Sequence, residues 1–298
     1  MMGQRRAVLI AGPTASGKSA LAIARARDNG GIIVNADSMQ VYDTLRVITA
    51  RPSLEEEAQA EHLLYGVVPA SERFSTGQWL RAVDRIIAET DPSSPLIFVG
   101  GTGLYFDALV NGFADVPEIV PEVISAVEAA LEGSDEASRM ALLMHEDPET
   151  AARLKVADPQ RVTRALAVKR QTGRTLSSFQ QDQRPGPIAG WDMERIVLEP
   201  PRDVVRDRIT KRFATMFENG AVEEVEAIRA QSLDPSLPAM KAIGVPEISA
   251  WLDGTMSADE AIRLATTATH QYAKRQGTWF RNRMGDWPRL GLAGAPLV

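Results

Sequence analysis

The stretch "AGPTASGKSALAIARA", residues 11–26, follows the apolar run "RRAVLI" (5–10) and sets four residues between Gly12 and Gly17-Lys18-Ser19. A glycine, four residues and then Gly-Lys-Ser, placed between a buried strand and an alanine-rich helix, is the P-loop pattern in full. Such a loop turns its backbone N–H groups onto phosphate oxygens, and the positive end of the following helix adds to the attraction. Gly12, Pro13, Thr14, Ala15, Ser16, Gly17, Lys18 and Ser19 therefore form a candidate phosphate cradle. Lys18 reaches a phosphate in this reading, and the Ser19 hydroxyl is placed to ligate Mg²⁺. The pattern leaves the ligand open, because any diphosphate or triphosphate, ATP included, presents the same oxygens.

Outward from the loop, short β-branched runs alternate with helical patterns: "AVLIAG" (7–12), "GIIVNAD" (31–37), "PLIFVGGTG" (95–103) and, much later, "ERIVLEP" (194–200). This order predicts an α/β fold, a P-loop NTPase-like parallel sheet flanked by helices. Between the third and fourth runs the chain shows helix signals and no strand. Asp147-Pro148 and Asp158-Pro159 each set a capping oxygen before a proline at the first helical position, and "RVTRALAVKRQTG" ends at Gly173, suited to a left-handed cap. Residues 115–189 are expected to form a helical insertion domain, leaving 1–114 and 190–298 as the catalytic core. The C-terminal third is expected to be helical, with a break at Gly220 and a long helix opened by Ser257 and Glu260 at capping-box spacing.

Composition narrows the function classes. The 298 residues include no cysteine, which excludes disulfides, thiolate nucleophiles and cysteine-ligated zinc. Cytoplasm is the expected compartment, since no apolar run approaches a membrane span and the N-terminus lacks a cleavage-site pattern. The net charge of -6 argues against a surface given over to nucleic acid as a whole. Locally the balance differs: "THQYAKRQGTWFRNRMGDWPR" (269–289) carries five Lys/Arg against one Asp, interleaved with four aromatics. That pattern suits a nucleic-acid contact, although a solvated helix face gives the same charges.

In an open parallel sheet, strand ends face one crevice. Asp37 closes the second run and should lie beside the P-loop, where capping, Mg²⁺ ligation and general-base roles all remain open. Thr102, in the glycine turn after the third run, should project its hydroxyl into the same crevice. Arg208 and Arg212 are four apart on one helix face beside Lys211, and an enzyme that expels diphosphate needs such a cation opposite the loop. Arg161 and Arg164 form a basic stripe that fits a phosphate backbone or a plain exposed face equally well.

Together the motifs resemble a family. "GPTASGKS", "NADSMQVYD", "TARPS", "FVGGTGLY", "DPQRVTRALAV" followed by "TGR", "MKAIG" and "YAKRQGTWFR" occur in the order found in bacterial tRNA dimethylallyltransferases, also called tRNA isopentenyltransferases. The resemblance spans about residues 7–290, and "DSMQVY" and "AKRQGTWFR" are far more specific to it than the P-loop. It implies transfer of a dimethylallyl group from dimethylallyl diphosphate to N6 of the adenosine just 3′ of the tRNA anticodon, with Mg²⁺ assisting and diphosphate leaving. It further implies that Gly12 to Ser19 hold the diphosphate, Asp37 takes the amine proton, Thr102 hydrogen-bonds the donor and Arg212 neutralises it. Asp37, Ser38, Met39 and Gln40 would meet the target nucleotide. The stretch Arg161, Val162, Thr163, Arg164 and Ala165, together with Lys241, Gly244, Lys274, Arg275 and Arg281, would contact tRNA. A monomer is implied as well. The chain departs from the family's usual pattern at "EHLLYG", at "AIGVPE" and at His270, leaving the crevice motifs intact.

The alternative is a P-loop kinase of nucleotides or small metabolites, whose core would look the same. Such a kinase has no use for the basic, aromatic C-terminal helix. A GTPase-like module lacks support because the chain contains no Asn-Lys-x-Asp motif.

Overall fold

The computed structural model describes residues 5–114, 116–182 and 184–291. The four apolar runs become β1 (Arg6–Ala11), β2 (Ile32–Asn35), β4 (Leu96–Gly100) and β5 (Asp192–Leu198). Two edge strands of two residues each, β3 (His62–Leu63) and β6 (Arg289–Leu290), are additional to that expectation. All pairings are parallel, in the order β3-β2-β4-β1-β5-β6. Register aligns Leu9 with Phe98 on one side and with Arg195 on the other. A parallel sheet covered on both faces needs continuous apolar strands, and β4 is buried at every position. Because the chain moves from β1 to one side and later returns to place β5 on the other, the ends of β1 and β4 flank a topological switch point.

The helices follow the punctuation. α1 (Lys18–Asn29) leaves the P-loop, with Gly17 at φ 96° and Gly30 at φ 65° marking its ends. Ser53 and Ser75 form capping boxes with Glu56 and Gln78 at the starts of α2 (Leu54–Glu57) and α3 (Thr76–Glu89). Trp79, Ala82, Val83 and Ile86 give α3 one buried stripe at helical spacing. α4 (Gly103–Asn111) then carries the chain away from the turn after β4.

Two compact units result, Met1–Leu109 with Pro187–Val298, and Val110–Gly186. Residue 115, where the insertion is expected to begin, and residues 292–298 of the expected core lie outside the described residues. The second unit contains α5 (Pro121–Leu131), α6 (Glu136–Glu146), α7 (Pro148–Ala151), α8 (Pro159–Thr172) and α9 (Leu176–Gln181). Asp147 accepts from the Thr150 N–H at 2.9 Å and Asp158 from the Arg161 N–H at 3.2 Å, each before the expected proline. Gly173 ends α8 at φ 72°. Val127, Leu143, Val162, Leu166 and Val168 form this unit's own core.

In the first unit the chain continues with α10 (Arg202–Met216), α11 (Val222–Ala230), α12 (Val245–Leu252) and α13 (Ala258–Arg283). The break before α11 falls at Asn219 and Gly220, as expected from the glycine. Only half of the expected capping box opens α13. Ser257 accepts from the Glu260 N–H, but the Glu260 carboxylate turns outward to Arg263 at 2.6 and 2.9 Å. Among the described residues no helix is long and apolar enough to cross a membrane.

Candidate active site

Asp37 is held from both sides. Asn35, fully buried at the end of β2, accepts the Asp37 N–H on Oδ1 at 2.8 Å and donates through Nδ2 to the carbonyls of Asp37 and Leu64, each at 3.0 Å. Its own carbonyl accepts from Trp79 Nε1 at 2.8 Å. The Asp37 carboxylate accepts the Met39 N–H on Oδ1 at 3.0 Å and the Gly101 N–H on Oδ2 at 3.3 Å. The β2 and β4 turns meet so closely that a Cβ on Gly100 would stand 2.0 Å from the Ala36 carbonyl oxygen. Only glycine permits that approach.

The P-loop faces Asp37. Ala15 sits at φ 62°, a left-handed conformation that costs a non-glycine residue about 1–2 kcal/mol. Lys18 curls back to donate to the Pro13 carbonyl at 2.8 Å. Burial pushes its pKa down to about 8, with Arg212 adding to the shift and Asp37 opposing it. The Ser16 hydroxyl is buried without a hydrogen-bond partner. From α10, Arg212 donates to Thr14 Oγ1 at 2.7 Å, and Arg208, one turn earlier, donates to the Ala15 carbonyl at 3.3 Å. Burial lowers the Arg212 pKa while Asp37 works against that shift, and a guanidinium stays protonated regardless.

Thr14, Ala15, Lys18, Asp37, Arg208 and Arg212 line a cavity of about 880 Å³. Lys18, Arg208, Lys211, Arg212, Lys241 and Arg275 supply its cations, and Asp37 and Glu56 its carboxylates. Apolar side chains complete it, among them Met39, Ile48, Phe213 and Ile243. Cationic and apolar lining in one cavity suits an amphiphilic ligand with a polyphosphate head and a hydrocarbon tail.

The structure shows what the other expected site residues touch. Thr102 reaches the crevice, but its hydroxyl is engaged by Ser38, accepting from the Ser38 N–H at 2.9 Å and lying 3.2 Å from Ser38 Oγ. It therefore braces Ser38 at the edge of the crevice. Gln40 donates through Nε2 to the carbonyls of Thr49 and Ala50 at 2.9 and 2.7 Å, which holds that loop. On α8, Arg161 and Arg164 are exposed and Thr163 is half-buried, whereas Val162 and Ala165 are fully buried and have no side chain to offer an RNA. Gly244 is buried too, its N–H donating to the Glu247 carboxylate at 2.8 Å.

The aromatics of α13 and its C-terminal flank are also mostly structural. Phe280 is 1% exposed, and Trp287 is 6% exposed and meets Phe106 edge-on at 5.8 Å. Trp279 packs over Gly103, where a Cβ would stand 2.0 Å from its ring. Tyr272 alone of the four lines the cavity, with Arg275 over its ring at 5.7 Å. Lys274 is exposed, and Arg281 is paired with Glu199 at 3.0 Å. Hydrophobic burial, not base stacking, accounts for Phe280 and Trp287.

Three residues that the sequence reading leaves unassigned hold the site together: Asn35, Glu224 and Gln276. Glu224 on α11 accepts the N–H groups of Arg46, Val47 and Ile48 at 2.9, 2.6 and 3.0 Å, fixing a loop that lines the cavity. Gln276 on α13 joins the P-loop to the turn after β4, accepting from the Thr14 N–H and donating to the Gly101 carbonyl, each at 2.9 Å. Asn35 and Gln276 stand inside the quoted motifs "NADSMQVYD" and "YAKRQGTWFR" without a role that spacing could give them, and no motif marks Glu224, whose partners lie 176 to 178 residues away.

A parallel sheet carrying the Gly12–Ser19 loop at its switch point, with arginines from a later helix folded over the loop, defines an α/β protein of the P-loop-like class. The apolar lining beside the cations sets it apart from a site built for a polyphosphate alone. The family model described as IPP transferase matches residues 40–283, and the chain belongs to that family of prenyltransferases. It is 52% identical over 281 residues to the tRNA dimethylallyltransferase of Methylobacterium sp. (strain 4-46), covering 94% of this chain and 92% of that protein. To the tRNA dimethylallyltransferase of Rhizobium meliloti (strain 1021) it is 48% identical over 286 residues, covering 95% and 94%. Among solved structures, a eukaryotic dimethylallyltransferase acting on tRNA matches with a TM-score of 0.80 at 26% identity, over 96% of this chain and 74% of that one. The tRNA isopentenylpyrophosphate transferase of Bacillus halodurans matches with a TM-score of 0.68 at 29% identity, over 97% and 90%.

Proposed function

We propose that this chain transfers the dimethylallyl group of dimethylallyl diphosphate to N6 of the adenosine 3′-adjacent to a tRNA anticodon, releasing diphosphate. The observation that carries the reading is the meeting of Asp37, Lys18 and Arg212 at one cavity that also has apolar lining. The names of the relatives add the substrate class.

In this reading the P-loop amides, Lys18 and Arg212 receive the diphosphate. Transfer breaks the bond between the allylic carbon and the bridging oxygen, and the electron pair stays on the diphosphate. Fixed cations and the α1 N-terminus stabilise that charge without reorganising at the moment of reaction. The adenine amine supplies the lone pair for the new C–N bond and its proton passes to Asp37, whose backbone hydrogen bonds hold it in place. Phe213, Met39 and Ile243 keep water from the allylic carbon. Because the base starts inside a stacked anticodon loop, it must be flipped out to react, and Ser38, Met39 and Gln40 follow Asp37 where it would arrive. Arg161, Thr163, Arg164, Lys241, Lys274 and Arg275 supply phosphate-backbone contacts.

Mg²⁺ fits the donor set. Among the described residues no group of three or more histidines and carboxylates could hold a metal ion, so the ion would rest on the Ser19 hydroxyl, the ligand's own oxygens and water, which Mg²⁺ accepts readily. When bound, it neutralises charge on the departing diphosphate. The reading also takes the enzyme to be a cytoplasmic monomer, which size-exclusion chromatography and cell fractionation would check.

Purified protein with Mg²⁺ and radiolabelled dimethylallyl diphosphate is expected to label unmodified tRNA whose anticodon is followed by adenosine. Phosphorylation of a small molecule by ATP, with no label in tRNA, would overturn the reading in favour of a kinase.

A further inference from the structure

Gln276 is 6% exposed, deep in α13, 262 residues from one partner and 175 from the other. The two partners dictate its amide orientation. The Thr14 N–H requires an acceptor and the Gly101 carbonyl requires a donor, so Oε1 and Nε2 have one consistent assignment. The fit is tight, because a Cβ on Gly101 would stand 2.1 Å from Nε2. Gly101 in turn donates its N–H to Asp37 Oδ2, and Thr14 accepts Arg212 through its hydroxyl. One amide thus ties the residue that holds the diphosphate arginine to the residue that holds the carboxylate.

We infer that Gln276 is a positioning residue that sets the separation between the diphosphate cradle and Asp37. The inference rests on the prenyl-transfer reading. Displacing a reacting group by about 1 Å costs roughly 100-fold in rate, so a linker of this kind acts on turnover, not on recognition of tRNA. Without its amide, Thr14 and Gly101 each lose a buried partner and the two loops lose their common strut.

Gln276→Glu is the sharper of two variants because it is isosteric. Its carboxylate still accepts from Thr14 but sets an oxygen against the Gly101 carbonyl, and protonation restores a donor there. Burial and that carbonyl both favour the protonated acid, so its protonation lies above the usual glutamate range.

The test measures single-turnover transfer of the radiolabelled dimethylallyl group to unmodified tRNA from pH 5.5 to 8.5. Wild type, Gln276→Ala and Gln276→Glu are compared, each with tRNA binding and melting temperature. Gln276→Ala is expected to lose at least tenfold in rate with tRNA affinity within twofold of wild type. The ratio of Gln276→Glu to wild type is expected to rise severalfold as pH falls. A role confined to stability predicts lower melting temperatures with unchanged rates per folded molecule, and that result overturns the inference. So does a flat ratio for Gln276→Glu, which stays decisive if Gln276→Ala fails to fold. Absence of transfer by the wild type would instead count against the prenyl-transfer reading itself.

Discussion

Arg212 donates a 2.7 Å hydrogen bond to Thr14 Oγ1, joining α10 to the loop that ends β1 across 198 residues of sequence. In the proposed reaction its guanidinium would meet the charge that develops on the leaving diphosphate. Removing one such preorganised donor typically costs about 100- to 1,000-fold in rate. Arg212→Ala should therefore slow transfer by about that factor in single-turnover assays with saturating substrates. Arg212→Lys should recover only part of the loss, since an ammonium does not reproduce the planar fork. A rate within threefold of wild type for Arg212→Ala would remove the residue from the reaction.

Lys18 sets a pH limit. Its pKa of about 8 means that the cradle loses a cation as pH rises through that value, and a bound anion pushes the transition higher. Inorganic diphosphate should bind wild type progressively less well above pH 8 relative to Lys18→Arg, whose charge does not titrate. Isothermal titration at several pH values reads the ratio. The stability effect has the opposite sense. Between about 8 and the ordinary 10.5 the unfolded lysine holds more proton than the folded one, so this group favours the folded chain increasingly as pH climbs through that window.

Glu224 caps three consecutive N–H groups at residues 46–48. Glu224→Ala leaves those donors without an acceptor and should destabilise the fold by about 2–4 kcal/mol in urea unfolding. Glu224→Gln should cost less than half of that. Equal stability of wild type and Glu224→Ala would show that water replaces the carboxylate without loss.

Exposed Arg161 and Arg164 make a different prediction. If each neutralises one phosphate, Arg161→Ala and Arg164→Ala should each weaken tRNA binding and lower the slope of log K against log salt by about one. Filter binding from 50 to 300 mM salt measures it. Unchanged slopes would leave α8 as a solvated face.

What could be read from the sequence follows a physical line. The P-loop, Asp37 and the Arg208–Arg212 pair are legible because chemistry at the end of a buried strand, or at i and i+4 on a helix, announces its place. The caps at Asp147, Asp158 and Gly173 are legible because they depend on neighbours within four residues. The edge strands β3 and β6 are too short for any periodicity to show. Phe280 and Trp287 carry a stacking-like pattern yet serve the core, since an aromatic between arginines reads alike in either role. Glu224 and Gln276 act through partners 175 to 262 residues away, and Asn35 joins Asp37 to Leu64, 29 residues on, contacts that only the folded chain brings near.

Locating the transferred group tests the reading most directly. Unmodified tRNA is incubated with wild type or Asp37→Asn, Mg²⁺ and labelled dimethylallyl diphosphate, then digested to nucleosides and mapped by mass spectrometry. The prediction is N6-dimethylallyladenosine at the position 3′ of the anticodon with wild type. With Asp37→Asn, which has no carboxylate to take the proton, the product should be nearly absent while tRNA binding is retained. Label at any other position, no label in tRNA, or near-normal product from Asp37→Asn would contradict the assignment of Asp37 and its cavity to prenyl transfer.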